Sequence, residues 1–158
     1  MSMSIKKSRL FKLFAVVALA VIMAIGTALP SFASSDDKEF YFKTEGGSSN
    51  EAFIPARVKQ DKTSIYCWIQ NSTTKNVTSA KVNARGGWGT NPDKDWAVCN
   101  SSLGYGRTMQ VGTSYFIYNN VKEAGYTYSS LSFTSSLAST FRGVWSPDSV
   151  YQSGVAQI

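Results

Sequence analysis

Histidine is absent from all 158 residues, and that absence removes the Ser-His-Asp triad, the Cys-His dyad and the histidine-bearing zinc hydrolase sites together. Cysteine is nearly absent too: Cys67 and Cys99 are the only two, too far apart in sequence for a C-x-x-C redox or metal pair. Acidic residues number only ten. Asp93 and Asp95 fall in the turn-like Asn91-Pro92-Asp93-Lys94-Asp95, where aspartates usually bond their own backbone. The glycine and distal bidentate acid of an EF-hand are missing there. The glycine-rich pieces Arg85-Gly86-Gly87-Trp88-Gly89 and Leu103-Gly104-Tyr105-Gly106-Arg107 lack the Gly-Lys-Ser or Gly-Lys-Thr of a phosphate loop. No cofactor and no metal is expected, and the chain reads as a non-enzyme.

Long apolar runs are also scarce, with one exception at the start. Lys6, Lys7, Arg9 and Lys12 precede an uncharged apolar stretch, Leu13 to Ile25, too short for the roughly 20 residues of a membrane helix. Ser31-Phe32-Ala33 offers small residues at the positions a signal peptidase reads, so residues 1–33 read as a cleaved signal peptide. A single secreted domain, 34–158, is then expected, with no stable membrane anchor.

Removal of that leader changes the charge. The whole chain carries sixteen basic and ten acidic side chains, but four of the basic ones lie in the leader, leaving twelve against ten. Nucleic-acid binding loses its electrostatic footing. Lys59, Lys62, Lys75 and Lys81 stand singly, as on a solvated surface.

Residues 34–158 hold eighteen aromatic side chains among many Ser, Thr, Asn and Gly, a chemistry that suits pleated strands and tight turns. Alternation with a period of two predicts strands at Glu39–Thr44, Thr63–Gln70, Val77–Ala84, Asp95–Asn100, Thr113–Tyr118, Tyr126–Phe133 and Leu137–Trp145. Breakers fall between them, among them Glu45–Asn50 and Arg85–Lys94. Thr134–Ser139 offers one helical turn at most. The expected fold is all-β, an antiparallel β-sandwich or flattened barrel of about seven short strands. Pro147 is expected to stop the last strand, with Ser146–Ser149 forming a turn. Export to an oxidising space makes a Cys67–Cys99 disulfide the expectation, worth roughly 3 to 4 kcal/mol.

Exposed rings are the best sign of a contact surface. Trp88 and Tyr105 sit beside glycines too small to cover them, with Arg85 and Arg107 nearby in sequence, and these four are the candidate binding residues. Both rings folding back to cap the sheet is the alternative.

The carboxyl-terminal third carries a resemblance. Val111-Gly112-Thr113, the aromatic strand Tyr115-Phe116-Ile117-Tyr118, Tyr126 to Phe133 and the closing Gly143-Val144-Trp145-Ser146-Pro147-Asp148 resemble small exported all-β proteins of Gram-positive bacteria known only as a domain of unknown function. Their plan is loosely similar to that of lactococcin 972. The leader and the exposed aromatic loops together lead to the expectation of a non-enzymatic, secreted or envelope-associated protein that contacts another protein or a cell-surface component, with a bacteriocin-related role as one form. A carbohydrate-binding module using exposed Trp and Tyr is the alternative, and an exported carboxylate-dependent hydrolase is a third reading.

Overall fold

A computed structural model describes residues 36–100, 106–150 and 152–158. The expected leader, 1–33, and the candidate Tyr105 lie outside the described residues. The described residues are all-β and form nine strands in one curled mixed sheet, a half-barrel. In chain order these are β1 (Lys38–Phe53), β2 (Arg57–Val58), β3 (Ser64–Ser72), β4 (Ser79–Gly87), β5 (Ala97–Val98), β6 (Arg107–Gln110), β7 (Ser114–Ile117), β8 (Tyr128–Ser149) and β9 (Ala156–Gln157). One expectation changes here: β7 runs parallel to β9, so pairing is not purely antiparallel, while the single curled sheet lies nearer the flattened barrel than the sandwich of the two forms expected.

The spine is β8. Along one edge it pairs with β1 and then β2; along the other its carboxyl-terminal half pairs with β3 and its amino-terminal half with β4. One strand thus belongs to both halves of the fold, and a bend in it lays the halves over a shared core. The bend falls where the sequence suggested a helical turn. Opposite it, β1 changes register between Glu45 and Gly47 and again before Ala52, with Gly46 and Gly47 at φ of 80° and 87°. Only glycine adopts such angles freely. Hydroxyl groups meet the hydrogen-bonding needs of the bent backbone: Thr44 Oγ1 lies 2.6 Å from Ser135 Oγ, Ser135 Oγ donates to the Leu137 carbonyl at 2.6 Å, and Ser72 Oγ lies 2.7 Å from Ser139 Oγ. The serines and threonines that hide this strand from pattern reading are what let it bend.

The core follows the period-two alternation. Phe40 and Phe42 of β1, Ile65, Cys67 and Ile69 of β3, Val82 and Ala84 of β4, and Leu131, Phe133, Phe141 and Trp145 of β8 all point inward. Phe42 stacks on Phe133 at 4.2 Å and on Phe141 at 4.9 Å between ring centroids, which clamps the two ends of the bent strand together. At Gly143 a Cβ would come within 2.1 Å of the Trp68 carbonyl oxygen, so β3 and β8 touch there only because the side chain is missing.

Pro147 does not end the last strand. It lies inside β8, at an irregularity where three steps along β8, Ser149 to Ser146, oppose two along β3, Ser64 to Tyr66. Bulges are where a sheet tolerates a residue that cannot donate.

The expected disulfide is not formed: Cys67 and Cys99 are buried free thiols. Cys67 sits mid-strand in β3, opposite Trp145, whereas Cys99 lies past β5 against Gly86 of β4, whose partner is Ser129. The two cysteines therefore belong to opposite halves of β8. Burial pushes the Cys67 thiol well above its usual range and the Cys99 thiol to about 11. A thiol-specific reagent at pH 8 should label neither cysteine in the native protein and both in denaturant; a disulfide would give none in either state. The sign of the pH effect follows. Unfolded thiols titrate near about 8.5, so the folded state keeps these protons longer. The stability they contribute is complete below that value and is lost as pH rises through the folded value of Cys99, about 11.

Candidate functional site

Three features of the described surface and interior carry chemistry: an exposed aromatic pair, a hydroxyl-lined depression and a buried charged cluster.

The aromatic pair follows from the pleat of β4. Its inward row, Val82, Ala84 and Gly86, continues to position 88 just past the strand, so Trp88 extends the core face beyond the core's end and is 71% exposed. Tyr126 lies over Gly86, where a Cβ would come within 2.6 Å of its ring, and its centroid is 4.8 Å from that of Trp88 at a 56° tilt. Turn hydrogen bonds from Tyr126 N to the Val121 carbonyl and from Asn120 N to the Cys99 carbonyl hold the loop carrying Tyr126 in place. Trp96 covers Gly87, the next residue, and so faces the opposite side. Trp88 and Tyr126 form a pair rather than a row of rings.

The other candidates scatter. Arg85 is only 6% exposed and serves the fold: Nη2 donates to both Glu51 carboxylate oxygens at 2.5 Å, Nε to Ser132 Oγ at 3.0 Å and Nη1 to the Trp96 carbonyl at 2.9 Å. A guanidinium committed to β1, β8 and the Trp96 loop is a strut, not a surface contact. Arg107 is half-buried in β6 opposite Val82, at the far end of β4 from Trp88. Of the other tryptophans, Trp145 is in the core and Trp68 is half-buried. Tyr126 escapes a sequence reading because nothing local links it to Trp88.

The depression has a volume of about 250 Å³, and Ser79, Lys81, Thr108, Thr134 and Ser135 are among its walls. None of the residues lining it is aromatic, so it offers hydrogen bonds but no ring on which a sugar would stack.

The charged cluster is hidden by its composition. Lys59, expected on a solvated surface, is 0% exposed and Asp148 1%. The Lys59 ammonium donates to the Thr63 and Pro147 carbonyls, each at 2.5 Å, and to Asp148 Oδ1 at 2.9 Å. Asp148 in turn accepts from the backbone N–H of Gln60 at 3.0 Å and of Asp61 at 3.2 Å. The Asp61 carboxylate Oδ1 accepts the Thr63 N–H at 2.8 Å and the Thr63 hydroxyl at 2.5 Å. Burial lowers the Lys59 pKa, opposed by its bond to Asp148. Burial alone would raise Asp61, but the bonds from Thr63 more than offset it and its pKa is lowered. The bulge at Pro147 brings these groups together, since it turns the Pro147 carbonyl and the Asp148 side chain toward the end of β2. The two acids that meet here do not flank an open cleft, because Asp148 faces Lys59 in the interior. Among the described residues, no group of three or more Cys, Asp or Glu is placed to hold a metal ion.

No curated protein and no solved structure gives a significant match to this chain. Residues 29–149, a span that contains β1 to β8, match the family model described as protein of unknown function (DUF2712). With well over half its length covered by that model, the chain belongs to the DUF2712 family.

Proposed function

We propose that this protein is a secreted or envelope-associated, non-enzymatic binding protein whose Trp88–Tyr126 end contacts another protein or a cell-surface component. The observation that carries the reading is Trp88, 71% exposed just past the end of β4 and backed by a second ring. A large indole held in water gains most from a partner that covers it, and tryptophan and tyrosine dominate such contacts. The signal-like pattern of residues 1–33 supports export. The 56° tilt between the rings favours a shaped protein or polymer contact over the flat platform of a carbohydrate-binding module.

The test is to incubate the purified protein with intact cells of the producer and of related strains, measuring pelleted protein and cell viability. Wild-type protein should pellet, and Trp88→Ala should weaken binding by about thirtyfold or more, the effect of a central hot spot. Binding with killing supports a bacteriocin-type role; binding without it supports an adhesive one. Pelleting unchanged by Trp88→Ala overturns the assignment of the surface, and no association with any cells overturns the cell-surface reading.

A further inference from the structure

We propose that Lys59 and Asp148 join through an intramolecular amide bond, with Asp61 as the proton-transfer group. The inference is independent of the aromatic end and rests on geometry. Two groups able to condense lie 2.9 Å apart with side chains 0% and 1% exposed, carried on segments 89 residues apart in sequence. Each is held from several directions, Lys59 by the Thr63 and Pro147 carbonyls and Asp148 by the N–H groups of Gln60 and Asp61. Such fixing replaces a bimolecular encounter with an effective molarity of about 10⁵–10⁸ M.

The reaction balances without a co-reactant, because an ammonium and a carboxylate condense to an amide and one water. The Lys59 ammonium has three acceptors, and the proton that leaves along the bond to Asp148 exposes a lone pair aimed at that carboxyl. Nζ then attacks Cγ of Asp148, and the C=O electrons move onto oxygen. Asp61, whose backbone N–H donates to Asp148 Oδ1 at 3.2 Å, accepts the second proton from Nζ and delivers it to the departing hydroxyl. The carbonyl re-forms, the C–O bond breaks and water leaves. Arg57 and Glu123 are the other charged groups that act on the cluster, Arg57 through Asp148 and Glu123 through Lys59. The product ties the end of β2 to the end of β8, closing most of the fold into one covalent ring.

The full chain, expressed and purified, is denatured, digested with trypsin and read by mass spectrometry. The expected product is a branched species, Val58–Lys62 joined to Gly143–Ile158 and lighter by one water than the sum of the two, because trypsin does not cut after an acylated lysine. Lys59→Arg, which keeps the charge, should abolish the branch, and Asp61→Asn should reduce its yield at least tenfold. Asp148→Asn should still close, releasing ammonia in place of water. Full recovery of separate Gln60–Lys62 and Gly143–Ile158 from the wild-type protein overturns the proposal. A branch formed as readily in Asp61→Asn overturns the role of Asp61.

Discussion

Replacing Asp148 with alanine should lower the free energy of unfolding by at least about 3–5 kcal/mol, because Lys59, with no carboxyl to join or pair with, is left as a buried charge without a partner. Lys59 is fully buried, so its ammonium has no route to water when the carboxylate is removed. The Thr63 and Pro147 carbonyls still accept from it, but dipoles do not neutralise a charge. The variant also strips the acceptor from the N–H groups of Gln60 and Asp61, each of which adds a desolvation penalty. Replacing Lys59 and Asp148 together with methionine and leucine should recover part of the loss, because an apolar pair of similar volume needs no partner. Urea denaturation reports both values. A loss below about 1 kcal/mol for Asp148→Ala, the range of exposed pairs, would show that the cluster is open to water.

Phe133→Ala should cost a similar amount, about 3–5 kcal/mol, and for a different reason. Phe133 lies in the amino-terminal half of β8, yet its ring stacks on Phe42 at 4.2 Å and on Phe40 at 6.0 Å, both opposite the carboxyl-terminal half. Its removal opens a cavity where the two halves of the bent strand close on each other. The neighbouring rings, fixed in strands on either side, have little freedom to fill it. Tyr41→Ala, on the outer face of β1 and 75% exposed, is the matched control and should change stability by no more than about 0.5 kcal/mol. Equal effects from the two substitutions would contradict the placement of the core.

The inward and outward faces of β1, β3 and β4 are legible in the amino-acid order. In Phe40-Tyr41-Phe42 and Ile65-Tyr66-Cys67-Trp68-Ile69 the burial alternates as the residues do. The short strands β2, β6 and β9 are not legible, because no apolar–polar alternation runs through Arg57-Val58, Arg107–Gln110 or Ala156-Gln157. The continuity of β8 is hidden as well. Its centre, Thr134 to Ser139, is mostly polar and small, as a turn would be, and becomes strand with Thr44 of β1 and Ser72 of β3 bonding its serine hydroxyls and Thr44 also donating to the Ser139 carbonyl.

The candidate sites divide in the same way. An exposed Trp88 beside glycines is readable, because its neighbours Gly87 and Gly89 have no side chains to cover it. That Tyr126 backs it and Arg85 does not share its surface depends on contacts across 38 and 34 residues of sequence. The thiols of Cys67 and Cys99 look like partners because composition records residue types but not which half of a strand each one meets.

Amino-acid order alone determined the all-β class and the facing of the main strands, because both depend on neighbours one or two residues apart. Tertiary structure decided that one long strand serves both halves, that the cysteines stay apart, and that an isolated lysine is buried with Asp148 as its partner. Each of those outcomes depends on which distant segment removes water from a group, and no local pattern carries that information.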